Sequence, residues 1–171
     1  MDDDREPAPA LEKIRALRRS GAHEAAHGAL IELASRTPDH AIVLYEAACV
    51  HDFLGLEAQA VPYYVRALAL GLPDETARNA MLGLGSTLRT LGRYEDAERT
   101  LREGLTRLPN AHELRTFLAM ALYNLGRHHE AMQLLLGVIA DTSADPNVRA
   151  LERAIRFYAE DLDRRWDAES A

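Results

Sequence analysis

A glycine, an acidic residue within the next four positions and an alanine five positions after the glycine recur four times along this chain. The phrases are Gly21-Ala22-His23-Glu24-Ala25-Ala26, Gly55-Leu56-Glu57-Ala58-Gln59-Ala60, Gly92-Arg93-Tyr94-Glu95-Asp96-Ala97 and Gly126-Arg127-His128-His129-Glu130-Ala131. Their glycines are 34, 37 and 34 residues apart, a tandem array with one three-residue insertion. Such a period constrains the fold more than any local feature. A unit this short cannot bury its own apolar face and must bury it against the next unit.

Leu30, Tyr64, Leu101 and Leu135 follow the alanines by four residues, one helical turn on and on the same face. Each phrase therefore opens an amphipathic helix. Upstream of the glycines lie Leu44, Ala47, Ala48, His51 and Leu54, then Met81, Leu84, Gly85, Leu88 and Leu91, then Leu118, Ala119, Leu122 and Leu125. These spacings of three and four are again helical, so the unit is helix, glycine turn, helix. Small residues at Ala48, Gly85 and Ala119, matched with Ala60, Ala97 and Ala131, let the paired backbones approach closely. Pro38-Asp39, Pro73-Asp74, Pro109-Asn110 and Asp145-Pro146 end one pattern and offer a capping side chain to the next. The insertion falls at Gly71-Leu72-Pro73 and lengthens one inter-unit turn.

This spelling resembles the tetratricopeptide repeat (TPR) family, with the stamp of a bacterial-type member. The unit from Arg78 to Ala111 carries the fullest match, through Leu84, Gly85, Leu88, Gly92, Tyr94, Ala97, Leu101 and Pro109. Elsewhere His23, Glu57 and His128 stand in for the aromatic after the glycine, and Lys13 and Ile14 take the small-residue sites of the first unit. The resemblance implies an all-α fold, a right-handed superhelix of four helical hairpins over residues 7–40, 41–74, 78–111 and 112–145. Pro7 and Pro9 are expected to shorten the first helix.

An array needs a polar-backed end. Val148, Leu151, Ile155, Tyr158, Leu162 and Trp166 form one stripe at helical spacing, which predicts a capping helix over 146–166. Glu152 with Arg156 and Glu160 with Arg164 are favourable four-apart pairs along it. Residues 1–6, acidic, and 167–171 are expected to be disordered or mobile.

Composition bounds the function. Apolar residues make up 47% of the 171, enough for a core, while 20 basic against 27 acidic side chains give a net charge of -7 that repels phosphate backbones. Nucleic acid is not an expected partner. No apolar run is long enough to span a bilayer, so no membrane partner is expected either. Cys49 is the single cysteine and the N-terminus lacks a secretory pattern, which together suggest a cytoplasmic address.

One segment spells a zinc-hydrolase motif. His23-Glu24-Ala25-Ala26-His27 reads H-E-x-x-H, with Glu46 nineteen residues further on as a possible third ligand. The array already explains these residues, since His23 fills the slot of Tyr94 and Ala26 is the packing alanine. Adjacent His128 and His129 diverge on a helix, and Cys49 reads as a small apolar residue with no base beside it. No nucleophile elbow, phosphate loop or paired-cysteine zinc spacing is present. No catalytic residue, metal or cofactor is therefore expected, and a zinc hydrolase using His23, Glu24 and His27 is the rival reading from another class.

In the resembled family the binding face is the concave one, built from the first helix of each pair. Carried over position by position, it comprises Leu11, Arg15, Arg18 and Arg19 in the first unit and Tyr45, Cys49, Asp52 and Phe53 in the second. Asn79, Leu82, Ser86 and Arg89 follow in the third unit and Thr116, Met120, Tyr123 and Asn124 in the fourth, with Phe157 closing the far end. Aromatics, Met and Arg are interface-rich types. The expectation is a protein or peptide ligand with apolar anchors and an acidic end near Arg15 and Arg19, bound by a non-catalytic scaffold. The two-lysine, two-asparagine carboxylate clamp of chaperone-docking members is not recognisable. Self-association into a homodimer is the alternative within the binding class.

Overall fold

The computed structural model describes residues 7–165. Eight helices form four hairpins: α1 (Pro7–Arg19) with α2 (His23–Arg36), α3 (Ala41–Phe53) with α4 (Glu57–Leu70), α5 (Asp74–Thr90) with α6 (Tyr94–Arg107), and α7 (His112–Asn124) with α8 (His128–Thr142). Two short helices, α9 (Pro146–Ala150) and α10 (Glu152–Glu160), follow.

The repeat glycines end the first helix of each pair. Gly21, Gly55, Gly92 and Gly126 have φ between 71° and 83°, a region that side chains with a Cβ enter at a cost. At Gly55 the glycine N–H donates to Asp52 O (3.0 Å) and the next N–H, of Leu56, reaches back to His51 O (2.9 Å). The same pair of bonds recurs at the other three glycines, the two-bond αL cap that satisfies a helix's last carbonyls. The second helix then starts at once.

Packing follows the repeat. Ala26, Ala47, Ala48, Ala60, Ala97, Ala119 and Ala131 are all buried. A Cβ on Gly85 would sit 2.6 Å from Leu101 Cγ, so the missing side chain makes room for Leu101 more than for Ala97. Two apolar clusters result, one running from α1 to α4 around Leu11, Ile14, Leu30, Val43 and Leu44, the other from α3 to α8 around Tyr64, Leu101, Leu114, Leu118 and Leu122. Leu72, inside the three-residue insertion, packs against both and seals their joint.

Consecutive helices from α1 to α8 touch, and α5 also touches both α3 and α7, whereas contacts of that extent do not join α4 to α6 or α6 to α8. The first helices α3, α5 and α7 therefore crowd together and the second helices splay. Clefts open between α2 and α4, beside Pro38 and Tyr63, and between α4 and α6, beside Val65 and Arg99. The chain is thus an all-α superhelix whose inner wall is the row of first helices.

Several local expectations change. Pro7 and Pro9 do not shorten α1, because both stand in its first turn, where a missing N–H removes no intrahelical bond. His40 rather than Asp39 caps α3, through Nδ1 to the Val43 N–H (3.3 Å), while Asp39 pairs with Arg66. Pro73 and Ala111 occupy the cap positions of α5 and α7, so Asp74 and Asn110 do not cap them. Asp145 does cap α9, accepting from the Asn147 and Val148 N–H groups.

The expected single capping helix is broken at Leu151 and its last segment stops at Glu160. Ile155 and Ala159 turn toward the array, but Leu151 (58% exposed), Tyr158 (55%) and Leu162 remain in solvent, so the stripe is only partly buried. Arg156 holds α10 to α8 through Asp141 (2.6 Å) and also bonds Glu152. Arg164 lies beyond the end of α10. Trp166 and the segments 1–6 and 167–171 lie outside the described residues.

Candidate functional site

The inner wall divides into three stretches. At its N-terminal end Arg15, Arg18, Arg19, His23 and Phe53 line a shallow depression of about 320 Å³. Arg15 and Arg18 are not free there. Arg15 donates from Nε and Nη2 to Glu46 Oε1 (3.0 and 2.8 Å) and from Nη1 to Glu12 (2.7 Å), and Arg18 donates to Glu46 Oε2 (2.9 Å). Of the two arginines expected to take a ligand's acidic end, Arg15 and Arg19, Arg15 is already paired with carboxylates of this chain, and its neighbour Arg18 shares Glu46 with it. Phe53, 65% exposed, carries the His23 ring 4.8 Å away on its face.

The middle stretch is a polar knot. Asp52 accepts from the Tyr64 hydroxyl (2.8 Å) and from the Thr87 hydroxyl (2.7 Å), which joins α3, α4 and α5. Burial pushes the Asp52 carboxyl above its ordinary range, opposed by those two hydrogen bonds. The Tyr64 phenol is pushed up as well, chiefly by burial, and so is that of Tyr45. Cys49, 3.7 Å from the Tyr64 oxygen, is also raised by burial, which keeps it a thiol. Tyr45 and Cys49 are half-buried and pack against the core. A Cβ on Gly83 would lie 2.5 Å from the Tyr64 oxygen, so that glycine admits the ring. The knot was absent from the sequence reading, although Tyr64 in a leucine slot, a hydroxyl in need of a partner, was the available signal.

At the C-terminal end Arg89, Met120, Tyr123 and Asn124, all expected on the binding face, come together around a cavity of about 370 Å³ with Ala119, Met132 and Leu135. The Tyr123 ring is 63% exposed and 4.7 Å from His128, a lining residue outside the expected binding face. Asn79, Leu82, Ser86 and Thr116 join neither cavity. Asn79 is exposed, Leu82 packs on the core, Ser86 is half-buried, and the Thr116 hydroxyl donates to its own helix at His112 O (2.9 Å). Leu11 is core. Phe157, expected at the far end of the groove, lines a depression with Arg149, Arg153 and Glu160.

The histidines of the H-E-x-x-H segment part company. His23 packs on Phe53, whereas His27 Nε2 lies 3.4 Å from Nε2 of buried His51, whose Nδ1 donates to Ala47 O (2.8 Å). Glu46 faces the two arginines. Among the described residues no three His, Cys, Asp or Glu side chains gather as metal ligands, and no helix is long and apolar enough to cross a membrane.

The family described as Tetratrico peptide repeat matches residues 41–162, from the start of α3 to beyond α10. That span omits the first hairpin, whose spelling departs most from the pattern. No curated protein matches the chain. Among solved structures, the fold is similar to the crystal structure of YrrB, a TPR protein with an unusual peptide-binding site, at TM-score 0.72 and 18% identity over 95% of this chain and 82% of that one. It is also similar to MamA 41-end from Desulfovibrio magneticus RS-1, at TM-score 0.66 and 18% identity over 94% and 97% of the two chains. A MamA RS-1 ArsTM double mutant gives TM-score 0.65 and 20% identity over 91% and 97%.

Proposed function

Because this chain belongs to the tetratricopeptide repeat family, whose fold is typical of protein–protein interaction modules, we propose that it is a non-catalytic scaffold binding a polypeptide along the inner wall of first helices. The observation that carries the reading is the placement of Phe53 and Tyr123. They are the two most exposed of the large apolar side chains among the described residues, and both stand at the ends of first helices, each beside a cavity. Leaving such rings in water forgoes burial that a partner restores, and aromatic anchors in pockets dominate interface energies. The peptide-binding site of YrrB supports the reading by likeness of fold. A cytoplasmic setting suits the unpaired Cys49.

The test is a random peptide display library panned on the whole chain. Enriched peptides should bind the Phe53→Ala/Tyr123→Ala double variant at least about tenfold more weakly, the loss expected when anchor side chains are truncated. Peptides that bind both proteins equally, or an absence of enrichment, would overturn the groove.

A further inference from the structure

We infer that Arg89 is the acid-recognising residue of this surface, and that the ligand places a Glu or Asp side chain on its guanidinium with a large apolar side chain beside it in the Tyr123 cavity. The inference rests on the groove reading and specifies the chemistry of its ligand.

The argument begins with unmet hydrogen bonds. Among the described residues four buried side-chain atoms lack a partner: Nε of Arg78, Nε of Arg89, Nδ1 of His112 and Oε1 of Glu113. Three of them stand against an opposite charge, Arg78 at 3.4 Å from Glu113 and His112 at 3.7 Å from Asp141. Arg89 alone has no such neighbour. Its Nε is shut off from water with nothing to accept its proton, an arrangement that costs stability and is rare unless a ligand or solvent completes it. Arg15 and Arg18, by contrast, already share Glu46.

Position supplies the rest. Arg89 lines the cavity whose walls include Met120, Tyr123, Met132 and Leu135, with Asn124 and His128 beside them, a mostly apolar slot next to an unspent cation. A guanidinium takes a carboxylate through two parallel N–H bonds, and the adjoining slot accepts an aliphatic or aromatic group. The helix that carries Arg89, α5, stands between α3 and α7 in the row of first helices, so a chain that follows this row runs past Arg89 instead of ending there. The acid is therefore a side chain and not a C-terminus.

The probe is an array of N-acetylated, C-amidated Gly/Ser peptides that scans the spacing between one Phe and one Glu. Its controls carry Gln for Glu, Ser for Phe, or a free C-terminal carboxylate in place of the Glu. Wild type should favour one Phe–Glu spacing and lose about tenfold or more with Gln, the worth of a hydrogen bond to a charged group. Arg89→Gln should bind Glu and Gln peptides alike yet still prefer Phe to Ser, with a melting transition no lower than that of wild type because the Arg89 Nε has no acceptor in the free protein. Arg89→Lys should recover only part of the preference, having charge without the fork.

A Glu preference that survives in Arg89→Gln and disappears in Arg19→Gln moves the acid site to the other end and overturns the inference. Tighter binding of the free-carboxylate peptide overturns the side-chain assignment. Binding of Phe peptides without any preference for Glu sinks the inference and leaves the groove standing. Equal binding of every array member by wild type and by Phe53→Ala/Tyr123→Ala sinks both.

Discussion

In the third hairpin Leu101 is fully buried over Gly85, whereas Leu135, in the same repeat position of the last hairpin, is only half-buried and faces the Arg89 cavity. Ala119 carries there the methyl group that Gly85 lacks. The flanks differ as well, since α5–α6 lies between two complete hairpins, while α8 has beyond it only the broken pair α9 and α10. Ala131 is the one residue of α8 that is fully buried, and Met132 and Ile139 are exposed. A repeat position thus has no fixed degree of burial. Its neighbours set it, and the looser of the two hairpins is the one that opens a cavity.

The sharpest way to break this contrast is to fill the third hairpin. Gly85→Val would drive a branched side chain into Leu101 and should cost about 3 kcal/mol in urea unfolding, at the upper end of overpacking penalties. The converse change in the last hairpin, Ala119→Gly, should cost only about 1 kcal/mol, the helix-propensity difference. Equal losses would dissolve the comparison. Leu101→Ala should remove about 3 kcal/mol by leaving a cavity in a closed core, against about 1 kcal/mol for Leu135→Ala at its open site.

Acid should separate the two ends of the array more gently. Glu98 and Glu130 bridge α6 and α8 through Arg102 and Arg127. Burial alone would raise both carboxyls, but the guanidinium hydrogen bonds outweigh it and hold them low. A carboxyl lowered in the fold gives stability that is present above its ordinary pKa and lost as pH falls through the folded value. Asp52 has the opposite sign. Its raised pKa means the fold binds its proton more tightly than the open chain does, so its contribution is present below 3.8 and lost as pH rises through the raised value. Hydrogen exchange on acidification should therefore release amides at the α6–α8 joint before those of α3 to α5. Simultaneous release, or the reverse order, contradicts the assignment. The smallest effect is expected from Asp52→Asn, within about 1 kcal/mol of wild type at neutral pH, because the amide keeps an acceptor and removes a buried charge.

Much of the fold was legible beforehand because it is periodic. Glycines fixed where each first helix ends, and alanines five residues later marked where the second helices pack. Legibility was poorer wherever a side chain's partner lies a whole repeat away. Glu46 reads as a stray acid beside a histidine motif until α1 and α3 are set side by side, when it becomes the counter-ion of Arg15 and Arg18. Tyr45 and Cys49 read as groove residues from their register, and that register says nothing of the Tyr64–Asp52–Thr87 knot beside them, which ties α3, α4 and α5 together. The capping stripe was correct in period and mistaken in continuity, for nothing in its spacing marks the break at Leu151.

The sequence alone determined the unit, its four-fold recurrence and the class of fold, because a helical hairpin with one apolar seam has no stable option except to stack on its copies. The tertiary structure alone decided which inward-facing charges are already spent and which are left over. Whether a guanidinium meets a carboxylate depends on distances of a few ångströms between residues about thirty positions apart, and periodicity carries no information at that scale.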